Sequence, residues 1–323
     1  PVLHRNSAEN IETIAVSLWN EPDESVQPVL RSIFDIVEVA SGYWISDPLE
    51  GVIAAFNRNG QFKKIIARRG KGPDEVFRPA SMHVLGDNNA QPDIFVLDSG
   101  TKSLIRFNQL GEEKDRIIHK TIDRDFFNNW LIVSDNYISY WPTYNLDNHV
   151  VVGVDATGKQ VQSLVNRIIP RGYQPMTYNG TVFDLKGSGL QRAYAYRGLP
   201  VLFTETGANK YLINLLPQTE IDEINTPLKK ISENKKVTVK SLIKDLYYWN
   251  DYLFVLFKNK LIVASQDGQY VKGYHLKSET SEKIGFHKMV LTASSLFVIN
   301  RSLLQVYTIE LEKIVSNIAD TAN

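Results

Sequence analysis

Short apolar runs separated by turn residues recur along the chain at intervals of roughly 50 residues. In each repeat an apolar run ends, a tight turn follows, and a second apolar run begins. Such turns predict β-hairpins, because the turn requires positive φ angles that glycine adopts without strain. The turn glycines are Gly60, Gly111, Gly158 and Gly268, and we place the remaining unit at Ile213, where Pro217 replaces glycine.

A second repeated pattern lies upstream of these turns and consists of an apolar run that ends in an acid or an amide. Tyr43–Asp47 is matched by Ile94–Asp98, and a weaker copy ends at Asn300. A side-chain oxygen at the end of a strand can accept hydrogen bonds from the backbone N–H groups that follow. We therefore interpret Asp47, Asp98 and Asn300 as residues that form Asx turns at strand ends.

Each repeat predicts four strands, which make one blade of a β-propeller. In the second repeat these strands are Ser81–Leu85, Asp93–Leu97, Ser103–Phe107 and Glu112–His119. The full repeats begin near Ile33, Ser81, Asn129, Leu190 and Leu242. In the fourth repeat we interpret Lys210–Asn214 as the third strand, and the segment before it fits two registers.

The sixth repeat has only three strands, which are Phe286–Leu291, Ser295–Ile299 and Leu303–Thr308. Ile11–Leu18 is an apolar, β-prone run without a blade of its own, so we expect it to supply the missing strand. The predicted fold is all-β: a six-bladed β-propeller of four-stranded antiparallel blades, its ring closed by an N-terminal strand in the last blade. A β-sandwich with a second domain is the competing architecture, but it does not explain a repeat that runs through both halves of the chain.

The expected organisation is one domain with short extensions. We expect an N-terminal lead-in or tether at residues 1–10, a single propeller at 11–310 and a C-terminal tail at 311–323. Helical character is confined to Pro227–Asn234 and Leu311–Thr321.

Composition excludes several classes of protein. Lys+Arg and Asp+Glu number 36 each, and this balance argues against nucleic-acid binding, which needs an excess of cations. No run of roughly 18 apolar residues predicts a membrane-spanning helix. Cysteine is absent, which excludes disulfides, thiolate metal sites and a cysteine nucleophile. The chain begins at Pro1 rather than Met, so we expect a removed N-terminal region that carried a signal sequence or a lipid anchor.

One segment carries a family resemblance, and it runs Gly70-Lys71-Gly72-Pro73-Asp74-Glu75-Val76-Phe77-Arg78-Pro79. With the strands that follow it, it resembles NHL-type six-bladed propellers, in particular the family common among secreted and lipid-anchored proteins of Bacteroidetes. The family pattern is G-x-G-P-G-E-F-x-x-P, so Asp74 replaces a glycine here and Val76 is inserted before Phe77. The resemblance implies an exported protein, periplasmic or on the cell surface, without established catalysis.

Long connections between blades are expected on one face of the propeller, opposite the tight turns. These connections are Ala67–Pro79, Lys120–Asn128, Asn166–Gly189 and Pro217–Lys240. The candidate ligand-binding residues on this face are Arg69, Lys71, Arg78, Arg167, Arg171, Tyr173 and Tyr178. Arginine binds carboxylates through paired hydrogen bonds, and tyrosine offers a flat apolar ring with a polar edge. The alternative is that the charges pair within the loops and the rings fill gaps between blades.

Three residues on predicted innermost strands are candidates for a metal site at the central channel: Asp35, His83 and His287. Together they would suit a divalent cation such as calcium or zinc. The alternative is that they pack between blades or hydrogen-bond to one another. The chain has no HxH or HExxH pair, so we expect no cofactor and assign no catalytic residue.

The expected function is binding of a glycan, a peptide or a protein by the long-loop face of an exported, monomeric propeller. The alternative is a metal-dependent, lactonase-like hydrolase or lyase with its site at the central channel. An intracellular scaffold is disfavoured by the resemblance to exported proteins. Acidic, amide or histidine side chains on several inner strands would favour the enzyme, and only three blades supply one.

Overall fold

The computed structural model describes residues 2–5, 11–19, 30–86, 92–118, 132–134, 138–142, 149–155, 157, 159–166, 181–186, 191–196, 198–217, 219–220, 242–278, 285–292, 294–300 and 304–319. These residues contain strands β1 to β26 and helix α1 (Leu311–Ala319), where the sequence predicted helical character. Among the described residues, no helix is long and apolar enough to cross a membrane.

Most strands belong to six blades of four strands each, in chain order. The first two blades are β3 (Asp35–Val39), β4 (Gly42–Asp47), β5 (Val52–Phe56) and β6 (Phe62–Arg69), then β8 (Pro79–Leu85), β9 (Asp93–Asp98), β10 (Ser103–Phe107) and β11 (Glu113–Ile118). The next two are β12 (Ile132–Val133), β13 (Ser139–Pro142), β14 (His149–Val154) and β15 (Gln160–Asn166), then β16 (Thr181–Lys186), β17 (Gln191–Tyr196), β18 (Val201–Thr206) and β19 (Asn209–Asn214). The fifth is β20 (Asp245–Trp249), β21 (Tyr252–Leu256), β22 (Lys260–Ser265) and β23 (Val271–Ser278). The sixth is β24 (Lys288–Leu291), β25 (Ser295–Asn300), β26 (Gln305–Glu310) and the N-terminal β2 (Ile11–Leu18).

The closure by the N-terminal strand is confirmed. Ser17 and Leu18 of β2 pair antiparallel with Thr308 and Tyr307 of β26. The next N–H, that of Trp19, donates to the carbonyl of Val306 over 2.8 Å. The described strands are arranged in five sheets. The all-β, six-bladed fold is the one that the sequence predicted.

The chain divides into two compact units. The first unit holds the complete fourth and fifth blades. It consists of Pro1–Ala15, Pro142–Val150 and Leu164–His287. The second unit holds the complete first and second blades and β24 to β26. It consists of Val16–Trp141, Val151–Ser163 and Lys288–Asn323. The surface analysed below belongs to the second unit.

The fourth blade begins one strand earlier than the sequence predicted. Its first strand is β16, inside the stretch predicted to be the loop Asn166–Gly189, and not the segment near Leu190. Lys210–Asn214 consequently falls in the fourth strand rather than the third. The hairpin turn before it contains Gly207, whose φ of 57° suits a tight turn, so Pro217 does not hold this position. The prediction divided the interval between Gly158 and Gly268 near its midpoint and so overlooked this glycine.

Residues 2–5 form a strand that the sequence did not predict. Val2–Arg5 form β1, which pairs parallel with β19 and adds a fifth strand to the fourth blade. Four residues are too few for a repeating pattern, and the backbone hydrogen bonds that hold β1 leave no signature in the sequence.

In the second unit the core lies between neighbouring blades. β4 and β5 are buried along their whole length, whereas β6 at the blade's outer side is largely exposed. Both faces of the inner strands are covered, and this explains their continuous apolar runs. The side chains packed between the first two blades include Trp44, Ile53, Ile94, Val96 and Phe107. Burial of each such side chain stabilises the fold by about 1.5–3 kcal/mol.

Candidate ligand-binding surface

The loop that joins the first two blades lies beside two strand-connecting turns. The loop runs from the end of β6 to the start of β8, and the turns are residues 48–51 and 99–102. Together they form a solvent-facing patch that we call the Phe77 surface, made of Leu49, Arg69, Lys71, Phe77 and Arg78.

The carboxylate of Asp98 holds Phe77 and Arg78 in place. Oδ2 accepts the N–H of Phe77 over 2.7 Å, and Oδ1 accepts the N–H of Arg78 over 2.8 Å. Oδ1 also accepts the N–H groups of Gly100 and Thr101, which is the predicted Asx turn. A fully buried carboxylate with several N–H donors is well satisfied, so it fixes the loop and the turn together.

Asp47 repeats this arrangement one blade earlier. Its Oδ2 accepts the N–H of Ser32 over 2.9 Å, and its Oδ1 accepts the N–H groups of Leu49 and Glu50. The Asx turns predicted at Asp47 and Asp98 are therefore confirmed. The sequence did not reveal that each carboxylate also binds the loop that enters its blade.

Arg116 of β11 fixes the middle of the loop. Its guanidinium donates to the carbonyls of Gly72, over 3.1 Å, and Glu75, over 2.8 Å. It also forms a 2.6 Å ion pair with Glu113, and this hydrogen-bonded carboxylate raises the pKa of Arg116. The sequence analysis missed Arg116, because it lies about 40 residues away in an ordinary outer strand.

The departures from the family pattern have a local explanation. Asp74 adopts a φ of 56°, a left-handed conformation in which glycine is most common and aspartate is among the tolerated residues. Glu75 folds back onto the N–H of Gly72 over 2.7 Å. An added Cβ at Gly70 would lie 1.9 Å from that carboxylate, so a side chain there would displace the Glu75 carboxylate. The inserted Val76 is buried and pairs with Arg69.

Phe77 is the exposed aromatic residue of the loop, with 37% of its surface accessible to solvent. The guanidinium carbon of Arg69 lies over its ring, 5.4 Å from the centroid, and the ammonium of Lys71 lies 5.6 Å away. Leu49 is 57% exposed. The patch therefore combines two apolar side chains with cations, and its backbone is held on several sides.

The predicted cations have different surroundings. Arg69 donates to the carbonyls of Glu50, over 3.1 Å, and Leu49, so part of its hydrogen-bonding capacity is used within the protein. Lys71 and Arg78 are exposed, and among the described residues their side chains form no hydrogen bond or ion pair. The remaining candidates, Arg167, Arg171, Tyr173 and Tyr178, lie outside the described residues.

The three inner-strand residues considered as an alternative metal site begin with Asp35. Asp35 is buried and pairs with Lys288 over 3.2 Å. Its oxygens also accept the N–H groups of Ile36 and Met82 and the hydroxyl of Ser81. These four contacts use the acceptor capacity that a cation would need. The sequence analysis singled out His287 and overlooked Lys288, the next residue.

Histidines do not complete a metal site in the described part of the chain. Burial lowers the pKa of His83 from 6.5 to about 4, and the opposing influences are the charge of Asp35 and a hydrogen bond with the Val133 backbone. His287 belongs to the other compact unit. Among the described residues, no group of three histidine, aspartate or glutamate side chains is placed to share a metal ion.

Comparisons with known proteins agree with the fold. Residues 27–187 match the family described as 6-bladed beta-propeller. An exported protein of Bacteroides fragilis shares 12% identity and a TM-score of 0.60, over 95% of this chain and 98% of its own. No curated protein matches the sequence.

Two further solved structures have named activities. An auxiliary nutrient binding protein of Bacteroides ovatus shares 9% identity and a TM-score of 0.53, over 86% of this chain and 69% of its own. A gluconolactonase of Xanthomonas campestris shares 11% identity and a TM-score of 0.52, over 95% and 87%. At these identities the likeness shows the fold alone.

Proposed function

We propose that this chain, whose residues 27–187 match the six-bladed β-propeller family, is an exported binding protein whose ligand docks on the Phe77 surface. The observation that carries the proposal is Phe77 itself, an exposed aromatic ring with two cations over it on a firmly held loop. Exposed aromatic and arginine side chains are the residue types that dominate binding energies at interfaces.

The rigidity of the loop supports a binding role. Asp98, Arg116 and Glu113 hold its backbone through hydrogen bonds, so little conformational entropy is lost when a ligand binds. A loop that served only as a connector would not need an exposed phenylalanine, because that exposure costs free energy in water.

The proposal that the protein is exported rests on the descriptions of solved proteins that share its fold. One solved structure with this fold is described as an exported Bacteroides protein and another as a Bacteroides nutrient-binding protein. The sequence also resembles exported members of its family. We propose an extracytoplasmic location, periplasmic or on the cell surface, with a lipid anchor as the means of attachment.

The hydrolase or lyase alternative has weaker support. It rests on fold likeness to a gluconolactonase, and the acidic inner-strand candidate Asp35 is occupied by Lys288 and by neighbouring donors. A binding protein without catalytic activity requires no catalytic residues on the inner strands.

An array experiment tests the proposal. Labelled protein is screened against glycan and peptide arrays, and each hit is titrated with wild type, Phe77→Ala and Arg78→Ala. Lys159→Ala is the matched control, because this exposed lysine follows a tight turn between β14 and β15. We expect the first two variants to lose at least about tenfold in affinity, with melting nearly unchanged. Equal affinity in all four proteins would place the site elsewhere.

A further inference from the structure

The Phe77 surface is cationic, because its acidic neighbours already have hydrogen-bond or ion-pair partners within the protein. Glu75 accepts the N–H of Gly72 and Asp74 accepts the N–H of Glu113. Glu50 pairs with Arg31 over 2.8 Å. The exposed Lys71 and Arg78 have no such partner among the described residues. On a chain without net charge, this local excess suits a ligand that carries carboxylates.

The ring of Phe77 is poorly placed to stack on a sugar. Arg69 and Lys71 lie over the ring, 5.4 and 5.6 Å from its centroid. The ring also packs closely against Gly100, where an added side-chain carbon would lie 2.3 Å from Cδ1. A sugar needs an open ring face, whereas a small apolar side chain can contact the exposed edge.

Apolar and cationic groups alternate across the surface. Arg69 lies between Leu49, whose carbonyl it binds, and Phe77, whose ring it covers. An extended polypeptide presents every second side chain on the same face, so it can place a carboxylate and an apolar group side by side. Acidic polysaccharides offer the carboxylates but lack large apolar groups to cover Leu49.

We infer that the ligand of the Phe77 surface is an acidic polypeptide segment with apolar side chains beside its carboxylates. This inference rests on the proposed function, since it names the ligand class of the same surface. Lys71 and Arg78 bind the carboxylates, while Phe77 and Leu49 contact the apolar side chains.

A positional peptide library tests the inference. Its fluorescein-labelled peptides carry a random apolar residue two positions after each glutamate, so that both side chains lie on the same face of an extended strand, and a matched library carries glutamine instead of glutamate. Labelled oligogalacturonate serves as the acidic glycan. We expect the glutamate library alone to be enriched, and each of Lys71→Gln and Phe77→Ala to weaken the best peptide by about tenfold or more. The affinity should also fall as salt is raised.

The outcomes separate the two proposals. Equal enrichment of the glutamate and glutamine libraries overturns the acidic ligand class. Binding of oligogalacturonate that depends on Phe77, without enrichment of the glutamate library, overturns the polypeptide but keeps the proposed surface. Binding of the glutamate library that is unaffected by Phe77→Ala and Lys71→Gln overturns both the surface and the inference. Melting curves of both variants exclude unfolding as the cause.

Discussion

Asp74 and Glu113 exchange two hydrogen bonds, each through its own N–H to the other's carboxylate. The distances are 2.9 Å from the Asp74 nitrogen and 2.5 Å from the Glu113 nitrogen. The pair joins the left-handed turn of the Phe77 loop to the first residue of β11. Through Arg116, which binds Glu113 and two carbonyls of the loop, it forms one network that supports the Phe77 surface.

Substitutions at Asp74 should separate the contribution of its backbone conformation to stability from that of its side-chain hydrogen bond. Asp74→Gly keeps the left-handed conformation without strain but removes the carboxylate that accepts the N–H of Glu113, whereas Asp74→Ala removes this carboxylate and also strains the backbone. We expect Asp74→Ala to lower the free energy of unfolding by about 1–2 kcal/mol and Asp74→Gly by less. Urea denaturation measures both, and a larger loss for glycine would contradict this view of the turn.

The closure of the propeller depends on Trp19 as well as on β2. Its ring meets Tyr43 and Phe297 edge-on, with centroids 5.1 and 5.3 Å away, and its Nε1 donates to the carbonyl of Arg58. We expect Trp19→Ala to cost about 2–4 kcal/mol and Trp19→Phe clearly less. Deletion of residues 1–18 should expose the edge of β26 and cause aggregation. A deletion protein that melts like the intact one would contradict the closure.

The buried ion pair of Asp35 and Lys288 should behave as a coupled pair. Lys288→Met leaves an uncompensated carboxylate, so we expect a loss of about 3–5 kcal/mol in the free energy of unfolding. The double variant Asp35→Asn/Lys288→Met should lose less than the sum of the two single variants. A double-mutant cycle by urea denaturation provides the test, and strictly additive losses would show that the pair is not coupled.

The neutral state of His83 predicts a pH dependence of stability. Its pKa is about 4 in the folded protein and 6.5 for an unperturbed histidine, so the unfolded chain binds the extra proton between these values. Stability should therefore fall as the pH drops from 6.5 to 4, by at most about 1.4 kcal/mol per pH unit. His83→Gln removes this contribution, so the variant should lose less stability than wild type over the same range. Parallel curves in urea titrations would contradict the assignment.

The sequence predicted the fold in most particulars because the repeat consists of apolar runs and turn residues, which local patterns reveal. The four strands of the second blade, the closing strand Ile11–Leu18 and the Asx turns at Asp47 and Asp98 were all visible in this way. The fourth blade was misplaced by one strand, because the prediction divided the interval between Gly158 and Gly268 near its midpoint at Ile213, although Gly207 follows Gly158 at the spacing of the other turn glycines.

The site was harder to predict from the sequence than the fold. Phe77 belonged to a recognised motif, but the motif does not show that its ring is exposed beneath Arg69 and Lys71. Arg116 and Lys288 act on residues distant in the chain, through contacts that no local pattern encodes. Side-chain partners of this kind are set by packing, and spacing along the sequence does not reveal them.

Hydrogen exchange with and without the best-binding array ligand tests the central claim most directly. The central claim is that ligand docks on the Phe77 surface, whose backbone comprises residues 49–51, 70–78 and 99–102. We predict slower amide exchange in these three segments on binding, and no change at residues 155, 157 and 159. Protection confined to other segments, with unchanged exchange at residues 70–78, would contradict the account.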